Sequence, residues 1–371
     1  MKIKPFELER YFAKYEFSAP YLLSCSDCEP LNMSELLSMA DPESLQLWNN
    51  LTLAYTESQG SPLLRAEIAK LYKNITADEI MVLVPEEGIF LSMNVLLEKG
   101  DHVITTFPGY QSLYEVANSM GCELSRWMPD KDGKFNIQNL FELVKTNTRL
   151  IVFNFPHNPT GESISTEELN EIISFARQRN LFIFSDEMYR FLEYEDSDRL
   201  PSVSDIYENA ISLFGMSKTF SLPGLRIGWL STKNQIIFQQ IAQFKDYTTI
   251  CSSAPSEILA IIGLRNKERI IARNLEIISI NLAIIDEFAK KHSSIFKWRR
   301  PKAGTITFPE LKLNIPVDEF CKKLVDEKGV MLLPSSVYNY DKECIRLGFG
   351  RKNMPEALKL LDEFLMKLLK K

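Results

Sequence analysis

Histidine and cysteine are scarce, three and six among 371 residues. The histidines His102, His157 and His292 stand far apart, and only Cys25 and Cys28 have the short spacing of a metal-ligand pair. Cys122, Cys251, Cys321 and Cys344 supply no second pair, so no metal is expected and reduced thiols packed in a core are the better reading. A basic excess is also missing: 43 Lys and Arg face 49 Asp and Glu, a formal charge of -6. Nucleic acid, which needs a basic face, is therefore not the expected partner. No apolar run approaches the ~20 residues that cross a bilayer, and the segment after Met1 is charged and lacks an apolar leader region. No membrane association and a cytoplasmic location follow as expectations. Repeats, low-complexity tracts and Gly/Ser linkers are absent as well, and the charge run from Lys367 to Lys371 reads as a solvated helix end.

What is present is alternation. Short apolar runs at 81–84, 103–106, 150–153, 181–184 and 211–214 have strand length and near-continuous hydrophobicity, as in a sheet covered on both faces. Between them lie helical patterns. In 166–180, Ser165 and Glu168 form a capping box while Leu169, Ile172, Ile173 and Ala176 keep helical spacing. Such alternation predicts an α/β domain with a mostly parallel sheet. From about Asn266 the pattern changes to long helices and short strands, of α+β character. The division expected is an N-terminal arm, 1–47, belonging to a small domain, a large domain, 48–264, and the rest of the small domain, 265–371.

Ligands of open α/β sheets bind beyond the carboxyl ends of strands, and unusual residues follow four of these runs. Phe107, Pro108, Gly109 and Tyr110 form an aromatic shelf after the second. Asn158 sits in a turn fixed by Pro156, Pro159 and Gly161. Asp186 and Tyr189 follow the fourth, with Glu187 between them read as a structural ion-pair partner. Gly215, Ser217 and Lys218 follow the fifth, and Arg226 comes eight residues after the lysine. A lysine, an acid, a phenol, an amide and an arginine at one sheet edge are the inventory that pyridoxal phosphate requires. His157 is near this set, but the lysine already supplies acid-base chemistry, so a packed histidine is expected.

The sequence resembles the class I/II aminotransferases, the aspartate-aminotransferase-like, fold type I enzymes that use pyridoxal 5′-phosphate. The resemblance runs from about Pro20 almost to the C-terminus. It is carried by Tyr55 with Gly60 and Arg65, Gly100-Asp101, Pro108 to Tyr110, Asn158 to Gly161, Asp186 to Tyr189, Ser217-Lys218, Gly224 to Gly228, and Arg346 to Gly350, in the family's order. It implies a seven-stranded, mostly parallel sheet with a smaller α+β domain. Lys218 would carry the cofactor and shuttle the substrate proton, Asp186 would hold the pyridine nitrogen, and Asn158 and Tyr189 the ring hydroxyl. Tyr110 would stack on the ring, while Ser217 and Arg226 would bind the phosphate. Tyr55 matches a tyrosine that reaches the phosphate of the neighbouring subunit, implying a homodimer with shared sites. Arg346 would clamp the substrate carboxylate, a planar fork-to-fork contact.

Three departures stand out. The helix start that cradles phosphate, usually rich in Gly, Ser and Ala, is here Pro85-Glu86-Glu87-Gly88, so the N-H groups of Glu86 and Glu87 are left for the cofactor. Gly215 replaces a frequent serine. Cys28 replaces a glycine often near the substrate and is therefore a candidate pocket residue. The stretch 246–251 lacks the second arginine of dicarboxylate-specific members, so a neutral or aromatic donor is expected over aspartate. Three activities share these residues: transamination to a 2-oxo acid, β-elimination or another lyase reaction, and cofactor binding in a regulatory module. The last is disfavoured because the chain begins almost directly with the small-domain arm.

Overall fold

The computed structural model describes residues 2–369; of the charged tail, Lys370 and Lys371 lie outside it. Seven strands form the central sheet: β1 (Ile80–Leu83), β2 (His102–Thr106), β3 (Glu123–Trp127), β4 (Thr148–Asn154), β5 (Phe182–Asp186), β6 (Ala210–Gly215) and β7 (Gly228–Ser231). Their order is β1-β7-β6-β5-β4-β2-β3. The pairs from β3 through β6 are parallel, whereas β7 runs antiparallel to both β1 and β6. The five expected strands are present. The two that the sequence pattern missed have physical reasons: β3 is a half-exposed edge strand containing Ser125 and Arg126, and β7 is four residues long and begins on glycine.

Alternation along each strand sends side chains into separate cores. Val103, Leu150, Val152 and Phe184 join the core containing the helix Pro85–Leu96. Ile104, Ile151, Phe153 and Ile183 join the core containing Leu169, Ile172 and Ile173 of the helix Thr166–Gln178. Ser165 caps that helix, its side chain accepting from Glu168 N-H while Glu168 reaches back to Ser165 N-H. Such a cap is worth about 1 kcal/mol.

Beyond Asn266 a 25-residue helix, Lys267–Lys291, leads into a two-stranded and a three-stranded sheet flanked by the helices Val317–Lys328 and Met354–Leu368. The N-terminal segment divides. Leu8 and Phe12 of the helix Glu7–Tyr15 pack with Met331, Leu333 and Val337 of the C-terminal third. Leu36 and Trp48, by contrast, join the core built from Ile68, Phe214, Trp229 and Leu259. Residues near 31–49 therefore pack on the large unit, where the sequence reading had extended the arm to residue 47. No helix among the described residues is long and apolar enough to cross a membrane.

Candidate active site

The carboxyl ends of β4, β5 and β6 open into a cavity of ≈ 370 Å³, within the roughly 300–1,000 Å³ common for small-molecule sites. Asn154 and Asp186, the last residues of their strands, are register partners. Asn154 Nδ2 donates to the Asp186 carbonyl at 2.8 Å, and its Oδ1 accepts from Asn158 N-H at 2.7 Å, tying the asparagine turn to the strand end. Asp186 is buried, its Oδ1 accepting from Met188 N-H at 3.1 Å. Burial pushes this carboxyl up to about 7, the Met188 N-H and the charge of Lys218 offsetting only part of the lost hydration, and Asp186 forms no ion pair among the described residues.

Past β6, Lys218 extends into the same cavity, and its Nζ donates to Ser26 Oγ at 2.9 Å. Burial holds the amine below the ordinary lysine value. Tyr189 is buried, and its hydroxyl has no hydrogen-bond partner among the described residues. A buried orphan hydroxyl is costly unless a ligand engages it. Arg226, at the cavity rim, has the left-handed backbone (φ 54°) that ends the short turn Pro223–Leu225. Arg346 is 1% exposed; its Nε donates to Ser24 O at 2.9 Å and its Nη1 to Tyr338 Oη at 2.8 Å. The guanidinium is thus anchored on one side, and its other terminal nitrogen makes no hydrogen bond among the described residues.

Ser217, Asn158, Tyr110 and Glu86 also line the cavity. The Glu86 carboxylate lies beside Ser112 and Tyr110, whereas Glu87 accepts from Thr249 Oγ1 at 2.8 Å and does not line the cavity. In the first turn of this helix Pro85 has no N-H and Gly88 N-H is taken by Val84 O. The N-H groups of Glu86 and Glu87 remain. Tyr55 is 92% exposed and not part of this cavity within one chain.

Cys28 departs from the expectation, and His157 is packed as expected. Cys28 is fully buried in the main core and does not reach the cavity; Cys25, Ser26 and Asp27 line it instead. One residue of turn separates a pocket position from a core position, and spacing alone does not say which way a side chain points. His157 packs against Phe135 and Phe155, away from the cavity, and burial pushes it down to about 3, so it is neutral. Sequence reasoning missed Tyr338, Ser26, Glu9 and Glu16. The first two have no local pattern. Glu9 and Glu16 do share a face of the N-terminal helix by their spacing, but nothing in the sequence says that this face covers the site.

A mainly parallel sheet whose strand ends present a lysine, a buried acid and an orphan phenol to one cavity, which Arg226 and, from the three-stranded sheet, Arg346 complete, has the residues of a pyridoxal-phosphate enzyme. Residues 38–361 match the family model for aminotransferase class I and II. The chain is 26% identical over 346 residues to an aspartate aminotransferase of Sulfolobus acidocaldarius, covering 85% of this chain and 84% of that protein. It is 25% identical over 363 residues to the capreomycidine synthase of Streptomyces vinaceus, covering 96% and 92%. Among solved structures, a PLP-dependent aminotransferase from Streptococcus suis matches with a TM-score of 0.92 at 29% identity over 99% of both chains. The PLP-dependent cyclase OrfR matches with a TM-score of 0.90 at 25% identity, over 99% of this chain and 98% of that one. The chain belongs to the class I and II aminotransferases, pyridoxal-phosphate-dependent enzymes of fold type I. The cavity fits this cofactor, since the orphan Tyr189 hydroxyl and the carboxyl of Asp186, which forms no ion pair among the described residues, are groups that a protonated, hydroxylated pyridine would satisfy.

Proposed function

We propose that the protein moves the α-amino group of an amino acid to a 2-oxo acid in two half-reactions of ping-pong type. The observation that carries this reading is that Lys218, Asp186 and Arg346, far apart in sequence, line one cavity. Bound pyridoxal 5′-phosphate supplies a sink for the electron pair left at the substrate Cα when its proton departs. Lys218 would hold the cofactor at rest, and its Nζ would be the group that accepts and returns the Cα proton. Burial favours the uncharged amine that this transfer needs. Asp186 would hold the pyridine nitrogen and keep it protonated, Tyr189 and Asn158 would hold the ring oxygen, Tyr110 would stack on the ring, and Arg226, Ser217 and the N-H groups of Glu86 and Glu87 would hold the phosphate. Arg346 takes the α-carboxylate, and because Ser24 and Tyr338 already fix its plane, the clamp orients Cα with little further ordering.

The functional unit is a homodimer, in which the exposed Tyr55 reaches the phosphate of the neighbouring copy. The domain limits that go with this reading are near residues 31 and 264, since the segment 31–47 is seated on the large domain.

The same residues would serve an elimination or a ring closure, since each begins with loss of the Cα proton, and two of the similar proteins are a synthase and a cyclase. A single-turnover experiment separates the readings. Holoenzyme given an amino acid and no acceptor should yield one equivalent of 2-oxo acid per site, without ammonia and without further turnover. Continuous release of ammonia and 2-oxo acid would establish elimination instead.

A further inference from the structure

Five acids and three bases line the cavity: Glu9, Glu16, Asp27, Glu86 and Asp186 against Lys218, Arg226 and Arg346. The aminotransferase reading employs all three bases, for the cofactor carbonyl, the phosphate and the α-carboxylate. Among the acids, Asp186 serves the ring nitrogen, Asp27 is paired with Arg351 at 2.9 Å, and Glu86 lies on the phosphate side. Glu9 and Glu16 remain, and neither has an ion-pair partner among the described residues.

Glu9, exposed on the helix that covers the site, and Glu16, the helical residue that caps its end, are seven positions apart and so on one face, roughly 10 Å apart along the axis. Phe12 lies between them, its ring 5.6 Å from the Arg346 guanidinium, and Leu8 completes an apolar strip beside the two carboxylates. Glu9 Oε1 accepts from Tyr110 Oη at 3.3 Å. Glu16 is half-buried at the C-terminal end of this helix. The backbone dipole is negative there, so a carboxylate is destabilised. Burial, then Glu9 and Asp27, push its pKa up, against the smaller opposing charges of Arg351 and Lys218. Two unpaired carboxylates facing a cavity, one placed against its own helix dipole, break the local electrostatic rules, and sites that break such rules are where ligands are bound.

We propose that the donor substrate is an amino acid whose side chain ends in a cation, a diamino or guanidino acid, its aliphatic stem lying along Leu8 and Phe12 and its charge received by Glu9 and Glu16. This rests on the aminotransferase reading. It replaces the neutral or aromatic donor expected from the sequence, and it opposes aspartate, whose second carboxylate would meet two like charges and no free base. Phe12 adds an aromatic face to a passing cation.

The test separates binding from turnover. Cα-methylated amino acids lack the proton that the reaction removes, so they report binding alone through the cofactor's absorption. α-Methylornithine should bind the holoenzyme at least tenfold more tightly than α-methylnorvaline, the same stem without the ammonium. Glu16→Gln and Glu9→Gln, checked for folding by thermal melting, should each shrink that ratio at least threefold, and the double variant should bring it near one. A ratio of one or below in the wild type, or a ratio that both variants leave intact, overturns the substrate assignment. Product analysis with ornithine, arginine, norvaline, alanine and aspartate then distinguishes the two layers. Oxo acid formed fastest from aspartate or from the neutral acids defeats the cationic donor and leaves transamination standing. A strong charge preference in binding, together with ammonia release in place of oxo-acid exchange, defeats transamination and leaves the cationic substrate standing.

Discussion

Asp186 shows how one residue can serve chemistry at the expense of the empty protein's stability. Its carboxyl titrates near 3.8 in an unfolded chain and, pushed up by burial, near 7 in the cofactor-free fold. The folded state therefore holds a proton that the unfolded state releases, a contribution to stability that is full below pH 4 and lost as pH rises through 7. At about 1.4 kcal/mol per pH unit the displacement amounts to ~4 kcal/mol as an upper figure. Cofactor-free Asp186→Asn should thus melt higher than cofactor-free wild type at pH 8, with the gap closing as the pH is lowered towards 4. Equal pH slopes of the melting temperature in the two proteins would remove this account. With cofactor bound, the same variant should lose several orders of magnitude in transamination rate, because the ring nitrogen loses the carboxylate that keeps it protonated. Lys218 has a direct chemical check. Borohydride reduction of the holoenzyme should fix the cofactor to the chain, with peptide mapping finding it on Lys218 and on no other lysine.

At the scale of elements, the helix Pro85–Leu96 accounts for two of the sequence departures together. A Cβ added at Gly215 would lie 3.0 Å from Gly228 Cα and 3.3 Å from Pro85 Cγ; one at Gly228 would meet Pro85 Cγ at 2.6 Å. Gly215 and Gly228 are register partners on β6 and β7. The proline that opens the helix thus fits over a pair of glycines, and a serine at 215 would be crowded by the ring. Glu86, one residue on, faces the cavity with Tyr110, Ser112, Glu9 and Arg226 as its neighbours, and burial pushes its carboxyl above the ordinary value. Ionised, it repels a phosphate and weakens what Arg226 contributes. Glu86→Ser should therefore tighten cofactor binding about tenfold, since a helix-start hydroxyl replaces a like charge, and Arg226→Ala should weaken it by at least as much. Fluorescence titration of the cofactor-free protein gives both values. A looser complex in Glu86→Ser would show that the carboxylate serves the cofactor after all.

At the scale of the molecule, one chain leaves large apolar groups uncovered beside the site. Leu53 is 87% exposed, Tyr55 92% and Tyr247 90%, aromatic and aliphatic surface in two neighbouring segments of the kind a protein partner covers. The segment 50–57 has no helix or strand of its own, and Thr56 Oγ1 donates to the Ser252 carbonyl at 3.3 Å, joining it to the stretch that bears Tyr247. A dimer across this face would bring Tyr55 to the second site. Sedimentation should give twice the chain mass at micromolar concentration, and Leu53→Asp should shift it towards monomer with loss of cofactor affinity. Tyr55→Phe should preserve the dimer and weaken the cofactor by about 1 to 3 kcal/mol, the loss of one hydrogen bond to a charged group. A fully active monomer would contradict the shared site.

The sequence by itself determined the large-domain architecture and the cofactor chemistry. Near-continuous apolar runs bury on both faces only in a mainly parallel sheet, and residues that follow such strands gather at one edge whatever the details of packing. Lys218, Asp186, Asn158 and Tyr189 were legible for that reason. Arg346, carried by resemblance, comes from the other unit of the molecule. Tertiary structure alone decided the rest. Which of Cys25 and Cys28 meets the cavity depends on the rotation of one turn, and the burial of His157 depends on aromatic rings from elsewhere in the chain. That residues 31–49 pack on the large unit, while the helix before them covers the active site, depends on which apolar face finds which core. Glu9 and Glu16 are ordinary exposed helix positions in sequence. They become the charge of the pocket only because Leu8 and Phe12 pull their helix down over it.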